Sequence, residues 1–150
     1  ETVRTMAEIA EETERHIDYA KRFRTNEFVI HDRVDATLFR SCCMACDIGA
    51  KTIVVSSLSG ATVRMVSRFR VPVDIVGMAT NKRVWYKLSL SWGVLPVLSE
   101  QFNSTDVLFY HALRAARDTM HLQPGDNVVM TGGITNGKSG NTNLIKIEAV

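Results

Sequence analysis

From residue 33 onward the sequence alternates between two hydrophobic periods, and this constrains its fold more than any other feature. Val34, Leu38, Cys42, Ala45 and Ile48 recur at helical spacing until Gly49 stops the pattern. Thr52-Ile53-Val54-Val55-Ser56 follows, a short apolar run bounded by polar residues, which reads as a buried parallel strand. The cycle repeats with helix over 61–70, strand over 71–78, helix from a Thr80-Asn81 cap to about Ser91, and strand over 93–98. Asn103 and Asp106 have capping-box spacing before a long helix that ends near Leu122. Strands follow at 127–131 and 144–149, joined by a Gly/Asn/Ser-rich loop over 132–143. Short strands joined by helices need both sheet faces covered, so an α/β three-layer α/β/α sandwich is expected. The last connection contains no helix and cannot make a parallel crossover, so the final strand should run antiparallel.

The N-terminal segment is different. Val3, Met6, Ala7, Ala10 and Ile17 form one apolar stripe among Glu8, Glu11, Glu12 and Glu14, with a local charge of about −4 over residues 1–18. The helix opens at Glu1 without a cap or leader, which suggests that Glu1 is not the start of the natural protein. Residues 19–32 are mixed and basic.

Composition narrows the function classes. The 150 residues carry 18 basic and 16 acidic side chains, a net charge of +2, which suits neither a nucleic-acid arm nor a disordered chain. No apolar run is long enough to span a bilayer. Cys42, Cys43 and Cys46 are too few and too crowded for a secreted disulfide framework, so reduced thiols and a cytoplasmic location are expected. Their Cys-x-x-Cys spacing lacks the second ligand pair that zinc requires, and mid-helix thiols are ordinary core residues.

Two stretches could handle phosphate. Gly132-Gly133-Ile134-Thr135-Asn136-Gly137-Lys138-Ser139 spells a P-loop letter for letter. A P-loop must run into a helix, whereas Gly140-Asn141-Thr142-Asn143 leads to strand-like residues, so a glycine-rich connection is the better reading. The second stretch, Ser57-Leu58-Ser59-Gly60-Ala61-Thr62, lies between a strand end and a helix start. Amides there carry partial positive charge, and a glycine admits an oxygen closely. The same hydroxyls would serve equally well as ordinary helix caps. Arg64, Arg68, Arg70, Lys82, Arg83 and Lys87 give about +5 over residues 61–90, the look of a solvated face that could also steer anions. Stacking aromatics and recognition-helix signatures for nucleic acid are missing.

The run from Ile53 to Arg70, IVVSSLSGATVRMVSRFR, resembles the C-terminal domain of pyruvate kinases, with its T-x-S-G-x-[ST] turn and a helix ending S-R-[YF]-R. Ser91-Trp92-Gly93-Val94-Leu95-Pro96-Val97 resembles that family's W-G-V-x-P strand. Gly125-Asp126-Asn127-Val128-Val129-Met130-Thr131 and Ser139-Gly140-Asn141-Thr142-Asn143 resemble its closing pair.

The resemblance implies a mixed five-stranded sheet of order 3-2-1-4-5 with strand 5 antiparallel. Residues 1–18 would be the helix leading from an absent catalytic barrel, and 19–150 the domain itself. It implies no chemistry in this chain. Magnesium, potassium, phosphoenolpyruvate and nucleotide would belong to the barrel, while this domain would bind a phosphorylated effector and help build a homotetramer. By position, Ser57, Ser59, Gly60 and Thr62 match the effector phosphate loop, and Gly132–Thr142, with Lys138, Ser139 and Gly140, matches the flap over it. Two departures stand out. Leu108 occupies a place that is often Arg in fructose-bisphosphate-responsive members, and Ala61 one that is basic in some. Each loss removes a charge-assisted hydrogen bond of about 1.5–3 kcal/mol, so a monophosphate or an empty loop fits better than a bisphosphate. A free-standing sugar-phosphate or nucleotide sensor, and an effector-free structural module, are the alternative readings.

Overall fold

In a computed structural model of the chain, the described residues are 1–133 and 140–150. The helices are α1 (Thr2–Arg15), α2 (Tyr19–Thr25), α3 (Arg33–Asp47), α4 (Ala61–Arg68), α5 (Lys82–Leu88) and α6 (Thr105–Met120). The strands are β1 (Thr52–Ser57), β2 (Asp74–Ala79), β3 (Val94–Leu98), β4 (Asn127–Gly133) and β5 (Thr142–Ala149). The sheet order is β3-β2-β1-β4-β5. The first three pairings are parallel, and β4 pairs with β5 antiparallel.

Alternation along β1 divides the core. Ile53 and Val55 pack with Leu38, Cys42, Val63, Val66 and Leu88 from α3, α4 and α5. Val54 faces the other way, toward Phe109, Ala112 and Ala116 of α6. Three helices therefore cover one face and α6 the other, giving the expected three layers. α4, which follows β1, and α6, which precedes β4, lie on opposite faces, so the helical connections diverge between the neighbouring strands β1 and β4. Such a divergence is where open α/β sheets form a ligand crevice.

The differences from expectation are local. Residues 19–25 form α2, capped by Asp18, whose side chain accepts from the Lys21 amide at 2.9 Å. β2 begins at Asp74 rather than Val71, because the parallel register matches Thr52 to Asp74. α6 is capped at Ser104 without a side-chain bond, so the Asn103–Asp106 capping box does not form. β4 runs to Gly133 and β5 starts at Thr142, which shortens the loop between them. α1 forms as expected but buries none of its residues: Val3, Met6 and Ile9 are each more than 60% exposed.

Candidate functional site

The β1–α4 turn is built around Gly60. This residue is the N-cap of α4 and has φ +75°, a left-handed conformation open to glycine at little cost. A Cβ here would also stand 2.8 Å from Val84 Cγ1 and 3.3 Å from Leu88 Cδ2. The turn is thus held against α5, and Gly60 itself brings no side-chain cap to α4. Its first amides point at the turn, where the helix dipole favours an anion. The Ala61 amide lies 3.4 Å from Ser59 Oγ. Ser57 is half-buried, Ser59 exposed, and Gly60 and Thr62 buried.

The β4–β5 connection returns to the same place. Thr62 Oγ1 and Thr142 Oγ1 lie 3.4 Å apart in a buried contact, so the first turn of α4 touches the first residue of β5. A Cβ on Gly133 would run into the Asn141 side chain, which packs the two ends of the connection together. A Cβ on Gly132 would stand 3.6 Å from Leu108 Cδ2 and 3.7 Å from Ser56 Cβ. Leu108 therefore presents an apolar wall where β1 and β4 end.

Of the residues singled out in the sequence, Ser57, Ser59, Gly60 and Thr62 share one turn, and Gly140 lies two residues before Thr142 at its side. Lys138 and Ser139 lie outside the described residues. The P-loop reading fails on its context: the chain past Gly140 enters β5 instead of a helix. Sequence reasoning left Arg64 in a solvated basic face. Its Nη1 stands 3.3 Å from where a Gly60 Cβ would be, so the guanidinium folds back over the turn. The i, i+4 spacing from Gly60 was the available signal.

The thiols are core chemistry. Cys42 is fully buried, and burial, aided by Cys43 and Cys46, pushes its pKa far above the ordinary value. Burial also raises Cys43 and Cys46, with Arg40 opposing the shift at Cys43 and Arg24 at Cys46. Among the described residues no group of three His, Cys, Asp or Glu side chains could hold a metal, and no helix is long and apolar enough to cross a membrane. A cavity of about 500 Å³, lined by Asn81, Lys82, Ser99 and Glu100 among others, lies at the same sheet edge beyond β2 and β3, beside the turn rather than over it.

Comparison with known proteins agrees with the topology. Residues 35–148 match the family model described as pyruvate kinase, alpha/beta domain. The pyruvate kinase of Clostridium acetobutylicum is 35% identical over 153 residues, covering 100% of this chain and 32% of that protein. Those of Lactobacillus delbrueckii subsp. bulgaricus and Staphylococcus saprophyticus are 30% and 32% identical, again over 100% of this chain and 26% of each relative. The chain thus spans about a quarter to a third of the length of the curated relatives it matches. A 3-2-1-4-5 sheet with its last strand reversed, carrying this turn and this match over most of its length, belongs to the pyruvate kinase C-terminal α/β domain family.

Proposed function

We propose that this domain is the regulatory and assembly part of a pyruvate kinase, binding a phosphorylated small molecule at the β1–α4 turn. The observation that supports the reading is the Thr62–Thr142 contact, in which the first turn of α4 meets the start of β5 near the strand divergence, where a ligand crevice is expected. The amides of the first turn of α4, the Ser57 and Ser59 hydroxyls and the Arg64 guanidinium would supply the donors a phosphate needs. Lys138, Ser139 and Gly140 on the connection would close over it. Leu108 in the wall argues for one phosphate rather than two.

In this reading residues 1–18 lead from a catalytic barrel, 19–150 form the domain, and the assembled enzyme is a cytoplasmic homotetramer. Phosphoryl transfer from phosphoenolpyruvate to ADP, with its magnesium and potassium, would run in the barrel. An effector that prefers one quaternary state would shift the equilibrium by its differential affinity. The chain alone should form no pyruvate from phosphoenolpyruvate and ADP, and measurable turnover would overturn that part.

The binding test is thermal unfolding against fructose 1,6-bisphosphate, glucose 6-phosphate, ribose 5-phosphate, AMP and ATP. A ligand at 100 times its Kd adds about 2.7 kcal/mol. A sugar-phosphate shift that Ser59→Ala or Arg64→Gln reduces supports the reading. A flat panel favours an effector-free structural module, which the apolar Leu108–Gly132 contact would suit.

A further inference from the structure

The end of α4 remote from the turn makes an arrangement that effector binding does not use. Ser67, in the last turn of α4 and only 6% exposed, donates its hydroxyl to the Trp92 carbonyl at 2.7 Å. Arg70, just past α4, has φ +52°, a left-handed conformation that is strained for a residue with a Cβ. That backbone carries its guanidinium to 4.9 Å from the centre of the Trp92 ring. On the N-terminal side, the Tyr19 ring of α2 lies 4.8 Å from the same indole. Trp92 Nε1–H donates to Glu14 Oε1 of α1 at 3.0 Å. Among the described residues this is the one hydrogen bond between α1 and the sheet body.

We propose that Trp92 is a joint through which α4 sets the docking of α1 on the domain. α1 buries no side chain, so its docked position has few supports besides the indole. Among the described residues α1 is thus held to the body by one exposed hydrogen bond near its C-terminal end, a hold weak enough for a small change to bias. α4 is a rod of about 12 Å at 1.5 Å per residue. Ser67 and Arg70 grip both the backbone and the ring of Trp92, so a shift of the rod re-aims the indole N–H that α1 accepts. The linkage is a property of this chain. It rests on the proposed effector reading only for its trigger, the ligand at the opposite end of α4.

Hydrogen exchange of the 2–15 peptide reads α1 docking, and thermal unfolding reads global stability. Glu14→Ala and Trp92→Phe, the latter keeping a ring but losing the donor, should speed α1 exchange several-fold at little global cost. Ser67→Ala and Arg70→Gln should do the same although neither residue contacts α1. If both leave α1 exchange at the wild-type rate, the linkage is wrong. Arg70 is exposed, so that variant keeps the test open should Ser67→Ala unfold the domain. Fructose 1,6-bisphosphate or glucose 6-phosphate separates the two proposals. A raised melting temperature with unchanged α1 exchange overturns the relay, whereas a flat melting response counts against the effector site alone and leaves the four variants to decide the joint.

Discussion

Thr62 and Thr142, eighty residues apart in sequence, share a buried hydroxyl contact of 3.4 Å that ties α4 to β5. Both side chains are more than nine-tenths buried. Thr62→Val or Thr142→Val alone strands the other hydroxyl and should cost about 1–3 kcal/mol. Replacing both removes the polar pair together, so the double variant should cost less than the sum of the singles. Urea unfolding of the four proteins measures this coupling, and strict additivity would show that the hydroxyls do not pair.

Gly60 should be the least replaceable glycine of the turn. An alanine there meets a left-handed backbone, about 1–2 kcal/mol, and a forced contact with Val84, about 1–3 kcal/mol more. Gly93→Ala is the control, because its φ is +66° but nothing lies within 4 Å of the new Cβ. Urea midpoints should fall clearly further for Gly60→Ala, and equal losses would mean that α5 yields.

These contacts mark the limit of what the sequence made legible. β1 was readable because a strand buried on both faces is a continuous apolar run, as Ile53, Val54 and Val55 are, and α4 because its buried face repeats at helical spacing in Val63 and Val66. The reversed β5 followed from a connection too short in helix to cross over. α2 was not readable, since Phe23 is its one buried residue and a single anchor sets no period. The Thr62–Thr142 contact and the hold on Trp92 join residues from distant elements, which no local pattern encodes. The family motif placed the turn, but only the folded chain shows Arg64 bent over Gly60 and Leu108 against Gly132.

Asp35 should make Arg68 matter more than a surface charge does. The carboxylate is 2% exposed, accepts from Arg68 Nη2 at 2.7 Å and from the His31 amide at 3.2 Å, and its Oδ1 has no partner among the described residues. Arg68→Ala leaves that buried charge uncompensated and should cost about 2–4 kcal/mol, at the low end because Arg68 itself is 41% exposed. Adding Asp35→Asn to Arg68→Ala should recover part of the loss in chemical denaturation. A further loss instead would place the value of Asp35 in the bond it accepts from the His31 amide rather than in the pair.

Alkali should destabilise the fold through Cys42. Its thiol pKa is raised by burial and by the neighbouring thiols, so the folded state holds a proton that the unfolded chain releases near the ordinary value of 9.0. Stability from this group is complete below that pH and falls as pH rises above it, by up to about 1.36 kcal/mol per pH unit. Cys42→Ala will be less stable at neutral pH because of its cavity, but its stability should decline less steeply between pH 9 and pH 10.5. Parallel curves for the two proteins would mean that the thiol titrates alike in both states.

Leu108→Arg tests whether the crevice is a phosphate site with one wall left apolar. Leu108 Cδ2 reaches the ends of β1 and β4, 3.6 Å from where a Gly132 Cβ would stand, so an arginine there can extend toward the crevice without crossing the core. A second cation facing a bisphosphate should add a charge-assisted bond of about 1.5–3 kcal/mol, roughly a ten- to hundredfold gain in affinity. The gain should be large for fructose 1,6-bisphosphate and small for glucose 6-phosphate, since only the former carries a second phosphate to meet it. Calorimetric titration of both ligands against wild type and variant measures the difference. Equal gains would mean that arginine merely adds positive charge to the surface, and no gain for either would count against a phosphate-binding crevice between β1 and β4.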